Sequence, residues 1–155
     1  MNAEVVDVPA APPHEHCHEF EVRDYECDMV QVVNNAVYHN YLEHARHEFL
    51  KSLGINFGEM ARLGIRLVVT RVEADFKSSL VSGNRFVVRT SMTRKGRLRL
   101  RFTQSIHRLP DNRLMLSAVV TGTALNERGR PEIHPDLERV LDCLNPADSQ
   151  ADGHS

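Results

Sequence analysis

The sequence predicts an α+β domain, on two patterns and the way they are joined. One long amphipathic stretch runs from about Ala36 to Leu53, with Tyr38, Tyr41, Leu42, Ala45, Phe49 and Leu53 on one helical face. About five strand-like runs accompany it: Phe20 to Tyr25, Leu67–Phe76, Arg85–Thr93, Arg97–His107 and Leu114–Leu125. Most of these are joined by short turns, which sets them apart from an alternating β/α chain.

The helix is the best-marked element. Asn34 or Asn35 supplies an N-cap, and Gly54 follows the last apolar residue as a stop. Its length is roughly 27 Å at ~1.5 Å per residue. Before it, residues 1–18 read as a disordered leader, with a Pro/Ala run from Pro9 to Pro13. His14, His16 and His18 alternate there and could trap a stray metal, but no fixed framework surrounds them. After the helix, Gly54–Gly58 is punctuation and Glu59–Leu63 a short second helix. Turns follow at Ser78–Asn84, Lys95-Gly96 and Pro110–Asn112. Arg97, Arg99 and Arg101 alternate with Leu98, Leu100 and Phe102, so the arginines share one strand face. The domain is expected to span 19–136, with 137–155 a short terminal helix, weakly patterned over Asp136–Leu144, and a polar disordered tail.

Composition narrows the function classes. Hydrophobic residues make up 41% of the 155, charged residues 26%, and the formal net charge is −2, all ordinary for a soluble globular chain. No apolar run approaches the ~20 residues of a membrane span, and the N-terminus has acids and prolines where a signal peptide needs a cationic start, so cytoplasm is the expectation. Net charge is negative and no aromatic residues interleave the arginines, which argues against nucleic acid. Cys17, Cys27 and Cys143 cannot all pair and share no C-x-x-C spacing, so neither a disulfide framework nor a zinc module is suggested. His39, His44 and His47 lie among Glu43 and Glu48 on the helix, but no neighbouring motif completes a metal site; solvated charge pairs or a subunit contact fit better. No phosphate-binding glycine loop and no G-x-S-x-G elbow is present.

Chemistry concentrates at the start of the helix. Its first N–H groups lack internal partners and carry the positive end of the dipole, so they can hold an anion or polarise a carbonyl. Asp28 is the nearest acid upstream, and a carboxylate folded back to that end could attack the carbonyl or activate water. The same residues also fit a plainer arrangement, with Asp28 capping a turn and the asparagines capping the helix. Arg46 lies eleven residues beyond Asn35, about 16 Å along the helix, so it cannot serve the same N-terminus; it pairs with Glu43 or reaches a partner subunit.

The run Asp28-Met-Val-Gln-Val-Val-Asn-Asn-Ala-Val-Tyr38, continued by Tyr41-Leu-Glu-His-Ala-Arg46, resembles the signature of hotdog-fold acyl thioesterases of the 4-hydroxybenzoyl-CoA thioesterase family. Within it the chain is most similar to plant acyl-lipid thioesterases and to small thioesterases associated with polyketide synthases. The resemblance extends from about Glu19 to Pro135. One position departs: Gln31 stands where the family usually has glycine, three residues after its acid. Some polyketide-associated relatives carry Asn in place of the acid, which this chain keeps.

The resemblance implies a single hotdog fold, an antiparallel sheet of about five strands wrapped around the one long helix. It implies hydrolysis of an acyl thioester of coenzyme A or an acyl carrier protein, the acyl group being fatty, β-ketoacyl or polyketide, with neither metal nor organic cofactor. Asn35 N–H would polarise the carbonyl, Asp28 would be nucleophile or general base, and Tyr38 and Arg46 would orient acyl chain or product. Active sites between subunits imply a homodimer or homotetramer. Arg97, Arg99 and Arg101 would meet the phosphates of coenzyme A or an acidic carrier protein; a solvated strand face is the alternative. Two rival functions stay open. A hotdog dehydratase needs a His acting on a β-hydroxyacyl group, and none immediately follows Asp28. A silent acyl-binding module would be consistent with a loop reshaped by Gln31.

Overall fold

The computed structural model describes residues 15–144. Five strands, β1 (His16–Glu21), β2 (Arg66–Phe76), β3 (Arg85–Lys95), β4 (Arg99–Leu109) and β5 (Arg113–Leu125), form one antiparallel sheet in the order β1-β3-β4-β5-β2. Three helices accompany it: α1 (Asn35–Ser52), α2 (Phe57–Arg62) and α3 (Pro135–Leu144). The α+β expectation and the sheet wrapped on one long helix are both what the structure shows.

α1 begins where the asparagines require it to. The Asn34 backbone is extended, and its side-chain oxygen accepts from Ala36 N–H at 2.9 Å. The helix ends at Leu53, followed by Gly54 at φ +90°, a conformation that costs glycine little. Tyr38, Tyr41, Leu42, Ala45, Phe49 and Leu50 form its buried face.

That face lies along two apolar clusters. Near the N-terminus of α1, Tyr38, Tyr41, Leu42 and Ala45 pack with Phe86, Val88, Ile106 and Leu116. Near its C-terminus, Phe49 and Leu50 pack with Met92, Leu100, Phe102, Val120 and Ala124, and there Leu137, Val140 and Leu141 of α3 close the core. α3 is tied down by its Glu138 carboxylate, which accepts from Arg94 Nη1 and Nη2 at 2.6 and 2.8 Å. On β4 the inward register is Leu100, Phe102, Gln104 and Ile106, so Arg99 and Arg101 face away from the helix. β2 bulges between Val69 and Arg71, and only glycine fits opposite: a Cβ on Gly122 would lie 2.8 Å from the Val68 carbonyl oxygen.

Several boundaries differ from expectation. The first strand begins earlier, because His16–Glu21 pairs residue by residue with Arg85–Thr90. His16–His18, assigned to the leader, is therefore part of the sheet. Tyr25 is not a strand residue. The strand stops where Val22 exchanges hydrogen bonds with the 83–84 turn, and the chain then makes a 3₁₀ turn at Asp24–Glu26 that leaves Tyr25 exposed. α2 starts two residues earlier than predicted, since Asn56 Oδ1 caps Glu59 N–H at 3.0 Å. β4 begins at Arg99, so Arg97 sits in the hairpin turn, its carbonyl accepting from Arg94 Nη2 at 2.9 Å. The expected leader up to residue 14, including His14, and the tail from 145 lie outside the described residues.

Candidate active site

Asp28 stands on a tight hairpin that feeds directly into α1. Asp28 N–H donates to Val32 O at 2.9 Å, Cys27 bridges to Val33, and Asn34 N–H donates to Glu26 O at 3.1 Å. The turn closes with Gln31 N–H donating to Asp28 O at 3.0 Å, and Gln31 takes φ +65°. This is a turn followed by a left-handed residue, the conformation that favours glycine. Gln31 thus stands in a left-handed turn position without being glycine.

Asp28 is exposed. Its Oδ1 accepts from Val30 N–H at 3.0 Å, and among the described residues Oδ2 accepts no hydrogen bond. A shallow depression of about 660 Å³ adjoins it, bounded by Asp24, Cys27, Val30, Gln31, Val81 and Ser82. Its lining mixes the side chains of Asp24, Gln31 and Ser82 with those of Val30, Val32 and Val81. Asn35, the first helical residue, has an N–H with no acceptor among the described residues. The structure therefore joins the free carboxylate oxygen and the free helix-start donor through one short hairpin.

Tyr38 and Arg46 occupy other positions. The Tyr38 phenol is buried, which raises its pKa, and its oxygen accepts from Leu80 N–H at 2.9 Å. Leu80 O in turn accepts from Val33 N–H at 2.9 Å. Tyr38 thus braces the segment that pairs with the hairpin.

Arg46 lines a separate cleft of about 230 Å³ between α1 and strands β2, β4 and β5, whose walls include Leu50, Leu67, Val69, Leu100 and Val120. Burial lowers its pKa, opposed by the nearby Glu43 carboxylate. Its hydrogen-bond partner is not Glu43: Nη1 donates to Gln104 Oε1 at 3.1 Å, and the guanidinium stands 6.0 Å from the Phe102 ring centroid.

The expected carrier-binding arginines do not join this assembly within one subunit. Arg99 and Arg101 lie on the face of the sheet away from α1 and pair with Lys95, Thr93, Thr123 and Thr121, at the end where the C-terminus of α1 packs. Asp28 is at the other end of a helix about 27 Å long. Of the histidines, His44 Nε2 lies 3.9 Å from Glu48 Oε1, the His47 ring meets that of Phe57 at a tilt, and His16 and His18 share the helix-facing side of β1. No group of three or more His, Cys, Asp or Glu is placed to hold a metal among the described residues.

The residue that sequence analysis missed is Gln104. It is 1% exposed and bonds α1, β3 and Arg46 together. Its signal was visible in the alternation of β4, a polar side chain at an inward position between Phe102 and Ile106.

Known proteins share this fold. Residues 22–141 match the thioesterase-like superfamily. The chloroplastic acyl-acyl carrier protein thioesterase ATL2 of Arabidopsis thaliana is 44% identical over 124 residues, covering 80% of this chain and 66% of that protein. The chain spans just under two thirds of the length of the curated relatives it matches. Among solved structures, a DHNA-CoA thioesterase from Staphylococcus aureus shares the fold with a TM-score of 0.80 at 21% identity, over 88% of this chain and 95% of that one. A hypothetical protein from Thermus thermophilus superposes with a TM-score of 0.77 at 27% identity, over 84% and 97%. No described helix is long and apolar enough to cross a membrane. The family match begins at Val22, just after β1, and continues into α3, so it takes in the hairpin, the helix and four of the five strands: this chain belongs to the thioesterase-like superfamily.

Proposed function

We propose that the protein hydrolyses acyl thioesters of coenzyme A or an acyl carrier protein. The observation that carries this is the hairpin itself. It holds a carboxylate with one free oxygen on the segment that runs into an uncapped helix N–H, in a chain 44% identical to a protein named an acyl-acyl carrier protein thioesterase. The thioester carbonyl oxygen accepts from Asn35 N–H, where the helix dipole favours the negative charge that develops. Asp28 either adds to the carbonyl carbon or takes a proton from a water that does so. The carbon–sulfur bond then breaks and the thiolate leaves and is protonated; where Asp28 was the nucleophile, water next hydrolyses the acyl–Asp28 anhydride and restores the carboxylate, and in both routes the free acid departs. An acyl chain is accommodated by the apolar cleft along α1, with Arg46 at its wall.

Asp28→Asn tests the proposal, because it keeps side-chain volume while removing the charge. A fall in kcat/KM on the order of 10²–10⁴ is expected, with unchanged circular dichroism. Wild-type hydrolysis by the Asn variant would reduce Asp28 to a turn cap.

The working unit we propose is a homo-oligomer formed across β2. This strand is an edge of the sheet, and Val69, Val72 and Phe76 are exposed along it. Sedimentation of the active protein at micromolar concentration should show at least a dimer; an active monomer would overturn this.

A further inference from the structure

We infer that Gln104 is a positioning residue that fixes the Arg46 guanidinium in the cleft between α1 and the sheet, where it faces bound substrate. This rests on the thioesterase proposal above and adds to it a residue outside the signature motif.

The argument begins with the amide. Gln104 is almost wholly buried at an inward position of β4, flanked by Phe102 and Ile106. An amide left there without partners is costly, so its hydrogen bonds decide whether the residue belongs. Nε2 has two protons. One goes to Leu42 O on α1 at 3.0 Å, the other to the buried Thr90 hydroxyl on β3 at 3.1 Å. Both donors are used, and that determines which end of the amide is oxygen. Flipping it would set the carbonyl against Leu42 O and the NH₂ against a guanidinium, two repulsive contacts. Oε1 is therefore held toward Arg46, whose Nη1 donates to it at 3.1 Å.

The consequence lies with Arg46. Leu42 is one helical turn before it, so Gln104 grips the backbone of the same helix whose side chain it orients. A guanidinium has five N–H donors, and Arg46 uses one on Gln104 among the described residues. The others remain for a ligand in a cleft that Leu50, Leu67, Val69, Leu100 and Val120 line, with the Glu43 carboxylate at its edge. A cation half-withdrawn from water on a flexible side chain would swing outward, away from that wall. The bond to Gln104 and the Phe102 ring beside it hold it in. Leu or Met at position 104 would fill the same space and leave Arg46 unanchored.

A double-mutant cycle separates this role from simple core packing. The probes are decanoyl-CoA and 3-oxodecanoyl-CoA, with kcat and KM measured on the full chain for wild type, Arg46→Met, Gln104→Met and the double variant. Gln104→Met should lower kcat/KM about tenfold or more for at least one probe. In the Arg46→Met background it should cost less than twofold further, because the group it positions is already gone. Thr90→Val, a smaller change, should show a weaker loss with the same dependence on Arg46, and it carries the test if Gln104→Met fails to fold. Multiplicative losses in the double variant, or wild-type activity in Gln104→Met or Arg46→Met, would overturn the inference. Asp28→Asn in the same assay distinguishes the two failures. If it is inactive while the Arg46 and Gln104 variants are normal, only the positioning role falls; if it is fully active, the thioesterase proposal falls.

Discussion

Gln31 donates its backbone N–H to the carbonyl of Asp28 at 3.0 Å from a left-handed φ of +65°, so the residue that closes the turn stands in a conformation its side chain disfavours. A non-glycine residue there gives up roughly 1–2 kcal/mol, and the ladder on both sides of the hairpin holds it in place.

Gln31→Gly should therefore keep the fold and the activity. The relief of left-handed strain is partly offset by the greater freedom of glycine in the unfolded chain, so stability should stay the same or rise by up to about 1 kcal/mol. Gln31→Val, β-branched at positive φ, should lose about 1–2 kcal/mol in urea unfolding and cut kcat/KM with it. A destabilised Gly variant would contradict the strain assignment.

The placement of the basic strand yields a second prediction. Arg97 is in a turn, and Arg99 and Arg101 are on the far face and at the far end of the sheet from Asp28. Exposed charges are screened over about 8–10 Å at physiological ionic strength. Neutralising all three to Gln should leave KM for acyl-CoA within about twofold of wild type. A salt-sensitive rise in KM that a phosphate-free thioester does not share would assign carrier binding to this strand, through a neighbouring copy.

Stability should fall in mildly acidic solution. Burial is the main cause that lowers the pKa of both His18 and His107, helped by His44 beside the first and Arg89 beside the second. A histidine with a depressed folded pKa binds fewer protons folded than unfolded in the interval between its two pKa values. Stability is thus fully present above the unfolded value, near 6.5, and is lost as pH drops from there toward the folded values. Thermal midpoints measured from pH 8 to pH 5 should decline over that window, and His18→Gln with His107→Gln should flatten the decline. A slope unchanged in the double variant would place its source elsewhere, for instance in the carboxylates Glu48 and Asp111, whose lowered pKa values act at lower pH.

What the sequence alone could determine is what depends on near neighbours. The cap at the Asn34–Asn35 pair, the stop before Gly54 and the alternation of Leu100 and Phe102 with Arg99 and Arg101 are all local, and each lies where periodicity and turn chemistry put it. The first strand escaped for the opposite reason. His16–Glu21 has little strand pattern of its own, and its backbone is ordered by pairing with β3, some seventy residues on. The partners of Tyr38 and Arg46 were likewise decided in three dimensions. One phenol meets the backbone of Leu80 and one guanidinium meets Gln104, contacts 42 and 58 residues apart in sequence. A buried polar group takes whatever partner the packed sheet brings within about 3 Å, and chain distance carries no record of which partner that will be.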